Sequence, residues 1–195
     1  MIFDLITIFL VGLLLLFAAY TALQFLGKFP RRTMEDVTPY LRPADFEELQ
    51  SLLDPAQEVN FRIRLSSQEF QSWQRKRIHL LREYLLRMSH NSLVLIEWGN
   101  MELQQVPASS QQSQEITALA RELVQAATEF RLYSLLALAK LKFWIVFRMG
   151  SARLPGLRQV SGIDALASYN RLKTAAGTLG LTHGDDYHQV LMSRL

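Results

Sequence analysis

From Leu5 to Gly27 the chain runs for 23 residues without a charge, LITIFLVGLLLLFAAYTALQFLG. A helix rises about 1.5 Å per residue, so this run reaches about 34 Å and can cross a hydrocarbon core of about 30 Å. Its polar atoms are few: Thr7, Thr21, Gln24 and the Tyr20 hydroxyl. A threonine hydroxyl can bond back to its own helix, and Tyr20 and Gln24 lie toward one end. A cleaved signal peptide needs a basic start, a shorter apolar stretch and small residues in A-x-A spacing. Here Asp4 precedes the run without any Lys or Arg, and Ala18, Ala19 and Ala22 lack that spacing. We therefore expect residues 1–27 to be a retained anchor in the lipid bilayer. Lys28, Arg31 and Arg32 follow it directly, while only the terminal amine precedes it. Basic flanks stay on the cytoplasmic side, which predicts a single-pass protein of the cell membrane with its amino terminus outside.

At 195 residues, the chain has room for this anchor and one soluble domain. An apolar share of 49% against 20% charged residues removes a disordered tail. The chain has no cysteine, which rules out disulfide scaffolds, thiol nucleophiles, iron–sulfur clusters and thiolate zinc sites. A net charge of +3 identifies no partner by itself.

Beyond the anchor, Pro30 and Pro39 punctuate residues 28–42, read as a juxtamembrane connector. Residues 43–195 read as one cytoplasmic helical domain. Pro43 suits the first turn of a helix over 43–54, with Asp45, Glu47 and Glu48 at its positive end and Pro55 ending it. In residues 55–65, NFRIRL alternates apolar and basic side chains as a strand would; lacking a partner strand, it reads as an extended connector. Ser66 and Glu69 form a capping box. From there Phe70, Trp73, Leu80, Leu81, Tyr84, Leu85 and Met88 recur at helical spacing, with a kink expected near Ser89–Ser92. The polar, proline-bearing QQVPASSQQSQ of residues 104–114 marks a turn. Ser113 then suits the cap of a second long helix, faced by Ile116, Leu119, Leu123, Ala127, Phe130, Leu138, Leu141 and Ile145. Two long helices joined by a short turn lie antiparallel, so residues 66–149 predict a long helical hairpin. Helices over 161–179, opened by Asp164 and weakened by Gly177 and Gly180, and over 185–193 complete the cover. The fold class expected is all-α.

Charge is segregated. Residues 35–58 hold seven acids and one base, residues 59–91 seven bases and two acids, and residues 131–173 eight bases and one acid. One explanation is internal pairing, with the acidic first helix packed on the basic base of the hairpin. Another is a membrane-facing surface, since both hairpin ends return to the anchor's side. Arg75, Lys76, Arg77, Lys140, Lys142, Arg148, Arg153 and Arg158 lie at that end. Bases near an anionic leaflet gain about 1 kcal/mol each and would orient an anchored domain.

Leu132 to Met149 is a second apolar run, but Lys140 and Lys142 sit at its centre, about 200° apart around a helix. Each costs about 3 kcal/mol at mid-bilayer, so we read no second span. Phe143 through Phe147, with Trp144, is apolar on every side and reads either as bundle core or as a contact with lipid or a partner's membrane helix.

His183, Asp185, Asp186 and His188 form the densest group of ligand-type residues, and could hold a divalent metal. Their spacing matches no zinc motif, and the two aspartates suit a helix's first turn. His79 and His90 are about 16 Å apart along one helix and cannot share an ion. Trp73 beside Arg75–Arg77 lacks any nucleic-acid-binding motif around it. The phosphate-loop, dinucleotide and nucleophile-elbow patterns do not occur, and no cofactor is expected. The sequence thus predicts a non-enzymatic accessory, scaffold or interaction subunit of a membrane assembly, partnered by another membrane protein or by itself. A membrane-surface module using the basic, aromatic hairpin end is the alternative.

Overall fold

The computed structural model describes residues 36–105, 111–146, 159–160 and 163–195. The expected anchor at 5–27 lies outside the described residues, with Lys28, Arg31, Arg32, Phe147, Arg148, Arg153 and Arg158, as do the side chains of Phe143 and Trp144. Residues from Asp36 onward form one compact unit.

That unit begins inside what reads as a connector. Asp36 Oδ1 accepts from the Thr38 amide at 2.9 Å and the Thr38 hydroxyl at 2.7 Å, setting a single 3-10 turn over Thr38–Tyr40. Val37 and Leu41 are buried. Asn91, also buried, clamps the segment from both sides: its Oδ1 accepts from the Arg42 amide at 2.8 Å and its Nδ2 donates to the Arg42 carbonyl at 2.7 Å.

Helix α1 spans Phe46–Leu53, and starts three residues later than Pro43 suggests because Asp45 is the N-cap, accepting from the Glu48 amide at 3.0 Å. Helix α2 spans Pro55–Arg64, where the alternating sequence predicts an extended connector. Pro55 opens this helix as well as closing the one before it. Asp54 caps it through the Ala56 amide at 2.9 Å, and a proline in the first turn loses no bond.

Helices α3 (Ser67–Gln105) and α4 (Gln111–Val146) form the antiparallel hairpin that the rest of the fold packs on. At about 1.5 Å per residue they are about 58 and 54 Å long. The capping box is present, with Glu69 accepting from the Ser66 amide at 3.0 Å and from its hydroxyl at 2.7 Å. Helix α3 passes Ser89–Ser92 without interruption; the Ser92 hydroxyl donates to the Met88 carbonyl at 2.8 Å and so needs no outside partner. Helix α4 begins before Ser113, which is buried inside its first turns and does not cap them. Leu81 and Leu80 are 100° apart on α3, so only Leu81 enters the core while Leu80 is exposed. Ile145 is also exposed, against the expected face of α4. Among the described residues no helix is long and apolar enough to cross a membrane, α4 included.

A two-residue antiparallel ladder, β1 (Gln159–Val160) with β2 (Ile163–Asp164), occupies the start of the expected 161–179 helix. Helix α5 (Ala165–Leu181) follows, with Asp164 Oδ1 accepting from the Ala167 amide at 3.2 Å. It packs along α4, and α6 (Asp185–Arg194) folds back on it. Gly180 does not fray α5. A side chain there would meet Leu191 Cδ2 at 2.9 Å, so the missing Cβ admits α6. Tyr169 of α5 links three elements: its ring stacks on Phe46 at 5.4 Å, packs on Phe130 at 5.1 Å, and its hydroxyl donates to the Leu195 carbonyl.

Candidate functional site

The basic residues expected at the hairpin base separate into two kinds. Arg75 and Lys76 are exposed. Arg77, one residue on, is 5% exposed and enters the corner between α1 and α2. Its Nη1 lies 3.0 Å from Glu58 Oε2, its Nε donates to the Leu52 carbonyl at 2.7 Å, and its Nη2 donates to the Asp54 carbonyl at 3.3 Å. The guanidinium thus joins a buried carboxylate to the negative, carbonyl end of α1. Burial lowers its pKa from the ordinary arginine value, and the Glu58 charge opposes that shift. Gln74, fully buried, adds a donor to Glu58 Oε1 at 3.3 Å.

Helix α2 is held against α3 by this pair and by rings. Phe61 lies on Trp73 at 4.7 Å, Trp73 neighbours Phe70 at 5.7 Å, and the guanidinium of Arg62 stands over Phe70 at 5.7 Å. The one fully buried residue of α2 is Glu58. Its remaining apolar side chains face outward: Val59 is 48% exposed and Ile63 78%. Pro55 and Ala56, a turn earlier, are exposed as well, so one stripe of the helix is apolar and bare. Exposed Arg62 and Arg64 flank it.

Lys140 and Lys142 are exposed on α4, on either side of buried Leu141. Further along the outer side of α4, Leu132 is 45% and Leu136 36% exposed, one turn apart, and Leu86 of α3 is 42% exposed. Inside the hairpin, burial raises the pKa of Glu97 and lowers that of Arg131, while each charge counteracts the shift of the other.

The His183–His188 group does not assemble as ligands. His183 Nε2 lies 3.1 Å from Glu102 Oε1, which also accepts from Trp98 Nε1 at 2.9 Å. Trp98, His183 and Tyr187 form a ring cluster with centroids 5.4–6.0 Å apart. His188 Nδ1 bonds the Gly177 carbonyl at 2.9 Å, and Asp185 and Asp186 occupy the first turn of α6. Among the described residues no three His, Cys, Asp or Glu side chains converge where an ion could sit. These six residues pin the α5–α6 corner to the end of α3.

Sequence reasoning misses the Glu58–Arg77 pair, the Glu102–His183 pair and the outward stripe of α2. The first two join residues 19 and 81 positions apart, beyond any local spacing rule. The third was legible in one respect: Val59 and Ile63 are four apart, a helical spacing set within an alternating one. Comparison with protein families, with curated proteins and with solved structures finds no match to this chain.

Proposed function

We propose that the protein is an accessory or interaction subunit of a membrane assembly, anchored by residues 5–27 and presenting its hairpin to a partner. The observation that carries this is the outer surface of the hairpin. Two helices of 39 and 36 residues offer a long rigid face, and Leu86, Leu132 and Leu136 stand outward on it. Single exposed leucines are ordinary, but Leu132 and Leu136 are adjacent on one helical stripe and side by side with half-buried Leu135 and Ala139. The buried polar side chains at the base and tip bond within the fold, so they support a structural part in place of a chemical one.

A double substitution, Leu132→Glu with Leu136→Glu, tests it. The monomer should keep its helicity and melting temperature, because both side chains are largely solvated. Co-purification with a membrane partner should fall at least tenfold, as truncation of an interface centre costs over 1.4 kcal/mol. Unchanged co-purification would contradict this surface as the contact.

The second reading is a lipid-contacting module at the hairpin base. Exposed Arg75, Lys76, Lys140 and Lys142 favour it.

A further inference from the structure

The bare stripe of α2 needs an occupant of particular chemistry. An ordinary surface helix turns its apolar residues inward and its charges outward. Helix α2 does the reverse, with Glu58 inside and Val59 and Ile63 outside. The inversion is kept in place by Arg77, whose carboxylate partner, Glu58, is the only acid in the helix. The outward side is therefore apolar with basic edges and carries no acid: Pro55, Ala56, Val59 and Ile63 between Arg62 and Arg64. Arg75 and Lys76 extend the positive charge onto the start of α3. Short apolar side chains flanked by arginines match the boundary between acyl chains and anionic headgroups, where apolar area and charge attraction act together.

We infer that α2 is an interfacial contact helix that lays Val59 and Ile63 on an anionic phospholipid surface. This rests on the anchored reading, since the span at 5–27 is what would hold the chain at a bilayer, and only eight residues (28–35) separate it from the compact unit. The anchor would supply affinity, and α2 would fix which side of the domain faces lipid. That leaves the outer leucines of the hairpin directed away for a protein partner.

The lack of cysteine makes the test direct, because one introduced thiol is the only labelling site. Three full-length variants, Ile63→Cys, Leu86→Cys and Leu14→Cys, are labelled with an environment-sensitive dye. Each is reconstituted in nanodiscs of phosphatidylcholine with or without phosphatidylglycerol. The label at 63 should shift to the blue and be quenched by headgroup-depth spin-labelled lipid in the anionic discs, more than in neutral ones. The shift should be lost in 1 M salt, where the Debye length falls from about 10 to about 3 Å. It should also be lost with Arg62→Glu and Arg64→Glu at unchanged circular dichroism. The label at 86 should stay water-like. A water-like label at 63 in both discs, with the label at 14 quenched by lipid, would overturn the inference and leave the anchor standing. A label at 14 that no lipid quenches would remove the anchored reading, and this inference with it. A shift at 63 that appears only with an added protein partner would assign the stripe to protein and overturn its assignment to lipid.

Discussion

Arg75, Lys76 and Arg77 are consecutive and read alike as a basic run, yet they have opposite structural roles. Two are solvated, and the third is a buried staple between α1, α2 and α3. Removing one member of a buried pair leaves the other charge without compensation, so Arg77→Met should cost about 3 kcal/mol. Arg75→Met should change stability by less than about 0.5 kcal/mol. Chemical denaturation of both variants checks this, and equal effects would contradict the assignment of Arg77. A second residue gives a pH signature. The Tyr84 hydroxyl donates to the Glu48 carboxylate, and that bond is the first cause holding the phenol at about 12, above the ordinary 10. A group whose pKa is raised by folding stabilises the fold below its unfolded value and loses that contribution as pH rises through the folded one. The stability gap between the natural chain and Tyr84→Phe should therefore be constant up to about pH 10 and close toward about 12. A gap that stays constant across that range would show the bond to be unimportant. At this scale the sequence is a poor guide: nothing local distinguishes Arg77 from its neighbours, because its partner lies 19 residues away in a helix whose pattern misleads.

Among the elements, those with a continuous 3.6-residue apolar period were legible and the one without it was not. Phe70, Leu81, Tyr84, Leu85 and Met88 announce α3, and Leu123, Ala127, Phe130 and Leu141 announce α4; all are buried as their spacing requires. Helix α2 was illegible because its inward side is a glutamate and an aromatic edge, so a period of two fits its sequence better than a period of 3.6. The β1–β2 ladder hid for a different reason: two residues per strand are too few to show alternation. The hairpin's closeness depends on Gly99, where a Cβ would stand 2.7 Å from Val124 Cγ2 and 3.1 Å from the Ala120 carbonyl. A glycine inside a helix costs about 1 kcal/mol against alanine, so its presence here is offset by the close helix approach it permits. Gly99→Leu should separate α3 from α4 and cost about 3 kcal/mol, read as a lowered denaturation midpoint. A midpoint at or above the natural one would mean the helices do not pack as closely as described.

Over the whole molecule, the segregated charge resolves partly into internal pairing. The acidic stretch supplies Glu58 to Arg77 and Glu48 to Tyr84, both across to α3, which is the packing of the acidic helices on the hairpin that the sequence suggests. The remaining bases, Arg62, Arg64, Arg75 and Lys76, stay at the surface near the hairpin base. Leucines 86, 132 and 136 mark a different surface along the hairpin. The account assigns the first surface to lipid and the second to protein, on one anchored chain. Its central claim is that this protein works as part of a larger assembly. Extraction in a mild detergent at native abundance, followed by mass measurement of the intact particle, tests that claim most directly. The account predicts a defined mass above that of the 22.4 kDa chain and its detergent, containing at least one other membrane protein. A particle holding this chain alone, under extraction that preserves a known weak complex from the same membrane, would contradict it.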